Sequence, residues 1–167
     1  MTDWPILSTI TFLPLLGAAF LLLIRGEEAT VARNSRLVAL WTTIITFALS
    51  ILLVANFDPN TANFQFEERS EWLPDYGIGY HLGVDGISIF FLLLTTFLVP
   101  ICIISCWKAV QTRVREYMLA FLVLETLMIG VFSTLDLLMF YIFFEGQLIP
   151  MFLIIGIWGG SRRVYSA

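Results

Sequence analysis

Two acidic residues stand where acids are expensive. Glu125 lies inside the apolar run 117–132 and Glu145 inside the run 137–158. On insertion scales an acid at mid-membrane costs on the order of 2.5 to 3.5 kcal/mol, so such a placement marks either an ion pathway or a deliberate packing device. Desolvation favours the neutral form of a carboxyl group, a second carboxylate nearby disfavours double ionisation, and an arriving cation restores the charge. An acid so placed can load and release a proton when its partner moves. The alternative for each is a hydrogen bond to a neighbouring helix that only fixes packing.

Other residues bear on this chemistry. Tyr141 precedes Glu145 by one helical turn, so phenol and carboxyl share a face and can meet directly or through water; a packed aromatic is the alternative. Gly146 and Pro150 flank the acid, and Pro150 leaves the carbonyl of Gly146 without its helical donor. That opening either admits water beside Glu145 or makes a static kink. Asp85, in the run Gly83-Val84-Asp85-Gly86-Ile87-Ser88, and Asp136 each stand just before an apolar run, where a carboxylate caps orphan amides and meets the positive end of the helix dipole. His81, the one histidine, could relay protons beside the first of these caps or simply occupy an interface. Cys102 and Cys106 are one turn apart with no third ligand in view, which reads as apolar packing and assigns no metal site.

The elements that must position these groups are membrane spans. The chain has 167 residues, 59% of them hydrophobic and 13% charged, with a mean hydropathy of +0.88 and a net charge of −4. That excludes an ordinary water-soluble globule, which carries about 25% charged residues, and a basic nucleic-acid binder. No disulfide framework, dinucleotide turn or phosphate loop is present. Apolar runs occupy about 6–24, 37–55, 87–107, 117–132 and 137–158, each close to the ~20 residues that cross a ~30 Å hydrocarbon core. They show neither a polar helical stripe nor a two-residue alternation, so the expected fold is all-α: a polytopic membrane protein of five helices in one domain, 1–167, with an extended loop at 56–82.

Basic residues set the expected orientation. Arg25, Arg33 and Arg36 fall between the first two runs, Lys108, Arg113 and Arg115 between the third and fourth, and Arg162 and Arg163 after the fifth. The positive-inside bias puts these segments in the cytoplasm or matrix, the amino terminus and the 56–82 loop outside, and residue 167 inside. That loop carries Asp58, Glu67, Glu68, Glu71 and Asp75 against one Arg69, and Asp3 with no Lys or Arg near it argues against a cleaved secretion signal. Trp4, Trp41, Trp107 and Trp158 stand at or near run ends. Pro14, Pro100 and Pro150 lie within runs, and the carbonyls they free need partners that lipid cannot give, so these sites should face protein.

At the fifth run the residues carry a resemblance. Asp136-Leu137-Leu138-Met139-Phe140-Tyr141-Ile142-Phe143-Phe144-Glu145-Gly146, continued by Leu148-Ile149-Pro150-Met151 and Gly156-Ile157-Trp158-Gly159, resembles helix five of the subunit M family of proton-pumping NADH:quinone oxidoreductase, whose mitochondrial equivalent is subunit 4 of complex I. The run Gly83 to Ser88 is similar to the same family and, more loosely, to other antiporter-like subunits. The resemblance implies a larger bundle of about fourteen spans built on two inverted repeats. It also implies that Glu145 is a proton carrier tuned by a lysine on a later helix, while Glu125, a possible second proton site, matches no hallmark of the family.

By the same resemblance, NADH, FMN, iron–sulfur clusters and quinone belong to partner subunits and no cofactor to this chain. The partners are other membrane subunits of complex I and the lipid bilayer, and the place is a bacterial inner or mitochondrial inner membrane. The family's chain is about three times longer, so the later lysine and the second repeat fall outside these residues. A subunit of a multisubunit cation/proton antiporter and a passive membrane scaffold stay open as alternatives.

Overall fold

The computed structural model describes residues 4–73, 77–160 and 162–163, so Asp3 and Asp75 lie outside the described residues. Helix α1 spans Ile6–Leu23, α2 Glu28–Ala55, α3 Ser88–Ser105, α4 Val114–Ser133, α5 Leu137–Gly146 and α6 Leu148–Trp158. Between α2 and α3 lie strands β1 (Gln65–Leu73) and β2 (Ile78–Val84). Among the described residues five stretches are long and apolar enough to cross a membrane, the fifth formed by α5 and α6 together over Leu137–Trp158. The fold is mostly helical, as the apolar runs require, with three departures.

The first is α2, which begins at Glu28 rather than near residue 37 and has 28 residues. At ~1.5 Å per residue it is about 42 Å long, more than a ~30 Å hydrocarbon core needs. Its first nine residues, with Glu28, Arg33 and Arg36, form a helical extension at its polar end. Trp41 therefore sits well inside the helix while still marking the start of its apolar part.

The second is the 56–82 loop, which folds into an antiparallel hairpin pairing Glu68 with Leu82, Arg69 with His81 and Ser70 with Tyr80. A register shift between Gln65 and Glu68 accompanies Phe66, whose φ of 55° lies in the left-handed region and bends the strand. The third is a break in the fifth span at Gln147, directly after Gly146. Pro150 supplies no N–H to the Gly146 carbonyl, and the helix restarts at Leu148.

Consecutive spans run antiparallel, and the buried side chains sort into two apolar clusters. At the hairpin end Leu7, Ile10, Leu53, Ile89, Leu92 and Ile129 pack with Leu82 and Val84 of β2. At the opposite end, flanked by eight of the nine basic residues, Ala18, Leu21, Ala39, Ile103, Met118 and Leu122 pack together. The helix backbones approach closely: a Cβ on Gly17 would lie 2.6 Å from the Thr42 side chain, so α1 meets α2 across a glycine. Pro14, Pro100 and Pro150 are all buried against protein, as their freed carbonyls demand.

Candidate functional site

Glu125 and Glu145 occupy one level of the bundle. Glu125 is eight residues before the end of α4 at Ser133, and Glu145 eight after the start of α5 at Leu137, so both lie about 12 Å from the turn that joins the helices. Their surroundings differ completely. Glu125 has no solvent exposure, and among the described residues neither of its carboxyl oxygens has a hydrogen-bond partner. Glu145 lies on an exposed face next to Tyr141, which is 58% exposed.

The two acids share a depth without pairing, and helix phase explains why. The side of α4 that meets α5 is defined by Gly130, where an added Cβ would lie 2.5 Å from Phe143, and by Leu127, whose side chain would be 3.2 Å from a Cβ on Gly146. At ~100° per residue, Glu125 is turned about 160° from Leu127 and about 140° from Gly130. It therefore points away from α5, into the interior enclosed by α1, α2 and α3. Phe143 and Pro150 are the buried residues of α5 and α6, while Tyr141 and Glu145 face outward. Tyr141 and Glu145 share a face without a hydrogen bond between them among the described residues.

Both caps are where the sequence puts them. Asp85 Oδ1 accepts from the amides of Ile87 at 3.0 Å and Ser88 at 2.6 Å, while Ser88 Oγ accepts from the Asp85 amide at 2.9 Å. These backbone donors, Ser88 foremost, hold the Asp85 carboxyl below its ordinary value. Asp136 Oδ1 accepts from the Met139 amide at 3.0 Å and starts α5, and Oδ2 accepts from Gly79 of β2 at 3.4 Å. The Met139 amide does most to hold Asp136 below its ordinary value.

His81 occupies an interface rather than the bundle: its Nε2 is 2.9 Å from Glu67, and its carbonyl accepts from the Leu135 amide at 2.8 Å. Hairpin and α4–α5 turn are thus joined by backbone as well as by Asp136. Cys102 and Cys106 are free thiols, and Cys106 Sγ accepts from the Tyr117 hydroxyl at 3.1 Å.

Two features escaped the sequence reading. Glu68 of β1 reaches α1, accepting from the Leu7 amide at 2.8 Å and the Ser8 amide at 3.1 Å and bonding the Ser8 hydroxyl, which also meets the Tyr80 hydroxyl. Burial raises the Tyr80 phenol above its ordinary value. The second is a set of buried hydroxyls on three helices near the depth of Glu125, none hydrogen-bonded to it: Thr46, Ser50, Thr95, Thr96 and Thr126. Short polar residues within the apolar runs were the visible signal for it.

Residues 134–167 match the family described as NADH:quinone oxidoreductase/Mrp antiporter, TM. The chain is 58% identical over 163 residues to NADH-quinone oxidoreductase subunit M of Rhodobacter capsulatus, covering 97% of this chain and 31% of that protein. It is 49% identical over 161 residues to NADH-ubiquinone oxidoreductase chain 4 of Arabidopsis thaliana, covering 96% of this chain and 32% of that protein. With subunit M of Rickettsia prowazekii the identity is 42% over 167 residues, 34% of that protein. The chain spans about a third of the length of the curated relatives it matches. With five apolar spans and similarity along nearly its whole length, this chain is a multi-pass membrane protein homologous to the subunit M and chain 4 proteins of NADH:quinone oxidoreductase.

Proposed function

We propose that this chain is part of an antiporter-like membrane subunit of respiratory NADH:quinone oxidoreductase and contributes to proton translocation coupled to quinone reduction. Glu145 is the proton carrier, and Tyr141, on the same face, is its hydrogen-bonding partner when water or a neighbouring group bridges them. The observation that carries the reading is the position of Glu145: mid-span, on the face of α5 turned away from α1–α4, with no partner among the described residues. A carboxylate left to lipid at that depth is unfavourable, so its partner comes from elsewhere in the longer protein or its neighbours. The resemblance supplies a candidate, a lysine on a later helix. The break at Gln147 and the freed Gly146 carbonyl give the acid a place for water.

In this reading the redox groups, NADH, FMN, iron–sulfur clusters and quinone, sit on partner subunits, and redox energy arrives as a movement of charge beside Glu145. The basic end faces the cytoplasm or matrix and the hairpin faces out, in a bacterial inner or mitochondrial inner membrane. The test is Glu145→Gln in the full-length protein within the assembled complex, which keeps size and removes titration. Coupled proton translocation and quinone reductase turnover should fall together; wild-type proton-to-electron stoichiometry and turnover would defeat the proposal.

The matched family description also names Mrp antiporters, which keeps a cation/proton antiporter as the second reading. Deletion separates them: loss of NADH:quinone activity favours the first, and sodium-dependent growth the second.

A further inference from the structure

Glu125 needs its own explanation, because the proposal for Glu145 does not use it. Its burial is complete within the described helices, whatever else the longer protein adds. Counting from the hairpin end of each helix, Pro14, Thr46, Thr95, Thr96, Glu125 and Thr126 stand seven to nine residues in, so α1 to α4 each place a residue at this level between the two apolar clusters.

The layer is rich in acceptors. The Thr46 hydroxyl donates to the Thr42 carbonyl at 2.9 Å and Thr95 to Phe91 at 2.8 Å, so both have committed their protons to their own helices and keep oxygen lone pairs to offer, while Thr96 Oγ1 lies 3.0 Å from the Leu93 carbonyl and 2.7 Å from the Ser50 hydroxyl, bridging α3 to α2. Pro100 removes the helical donor of the Thr96 carbonyl, and Pro14 that of Ile10, which adds backbone acceptors. Thr126 is the exception, for its Oγ1 is buried and has no hydrogen-bond partner among the described residues.

No charge answers Glu125 from the helices around it. Within its bounds α1 has no titratable residue, and α6 has none. The titratable residues of α2 are Glu28, Arg33 and Arg36, in its extension; α3 has only Cys102, and Arg115, Glu116 and Tyr117 of α4 lie at the basic end. Tyr80 and His81 of β2 are at the hairpin end, and Tyr141 and Glu145 face outward on α5. An ionised carboxylate there would be buried and unpaired, at a cost of several kcal/mol, which a neutral carboxylic acid avoids.

We propose that Glu125, with the hydroxyl layer of Thr46, Thr95, Thr96 and Thr126, forms a second proton-binding site inside α1–α4, separated from Glu145 by the body of α4. Its proton leaves for a water held by these acceptors and returns by the same route, so the site exchanges with solvent independently of Glu145.

Infrared difference spectroscopy on the full-length protein in its membrane tests this. A carbonyl stretch of a protonated acid should vanish in Glu125→Gln, move in frequency in Glu125→Asp, shift downward on transfer to D2O, and persist in Glu145→Gln. Thr96→Val, which removes one acceptor hydroxyl, should slow the D2O shift several-fold. The inference is overturned if no such band responds to Glu125, if the band ignores D2O, if Thr96→Val leaves the exchange rate unchanged, or if Glu145→Gln removes the band. Only that last variant bears on the translocation reading, so the two can fail separately.

Discussion

The two sides of α4 place an acid at the same depth and treat it in opposite ways. On the α1–α3 side, half of the most apolar stretch of α4 is buried, and Glu125 has no exposed surface. On the α5–α6 side only 11% of the corresponding stretch of the fifth span is buried, and Glu145 lies open on it. The first environment is finished by these residues alone, and the second is half of an interface. Depth therefore says that a carboxyl is unusual, while direction around the helix says whether its enclosure is already present.

The sharpest test of this contrast is to neutralise each acid in the assembled complex. Glu145→Gln should lower coupled proton translocation at least about a hundredfold, the scale of a lost proton-transfer group. Glu125→Gln should give a milder, partial loss in the same assay, and complete inactivity of an assembled Glu125→Gln complex would reverse the ranking of the two sides.

Next in size is the seam between them. Gly130→Val would drive a branched side chain into Phe143, already 2.5 Å from a Cβ at that position. Overpacking of this kind costs about 1–3 kcal/mol, so α5 should detach from α4, read as a lowered unfolding midpoint in detergent, with the α1–α4 packing retained. Loss of the α1–α4 contacts instead would mean that the two sides are one cooperative unit.

Smaller again is Asp136→Ala, which removes the α5 cap and should cost about 1 kcal/mol. The wild-type cap should also be sensitive to acid. The folded carboxyl titrates below its ordinary aspartate value, so its stabilisation is complete above that value and fades as pH falls toward the lower folded one. A denaturation series over that acidic window should show the slope in wild type and a flatter response in Asp136→Ala; equal slopes would remove Asp136 from the explanation. The smallest effect belongs to Tyr141→Phe, no more than about fivefold on translocation, the worth of one net hydrogen bond of ~1 kcal/mol.

Much of the scaffold could be read from residue types, because the spans are long apolar runs and Asp85 and Asp136 announce their helix starts. Hydropathy could not see the first nine residues of α2, since Ala29, Ala32 and their charged neighbours form helix without being apolar. It also passed over the hairpin. Ile78, Tyr80, Leu82 and Val84 alternate as a strand should, but Glu67, Glu68, Arg69 and Glu71 obscure the partner strand. For the acids, spacing from the α4–α5 turn fixes a common level. Their separation depends on which side of α4 receives Phe143, a packing choice made by Gly130 that linear spacing does not encode.

The bond from Glu68 to the first turn of α1 links residues about sixty positions apart. While the chain is being made, α1 must form with those amides left to water, because the carboxylate that later accepts from them has yet to be synthesised. The opening helix is thus finished retroactively, and damage to the hairpin should surface as misassembly of a segment made long before it.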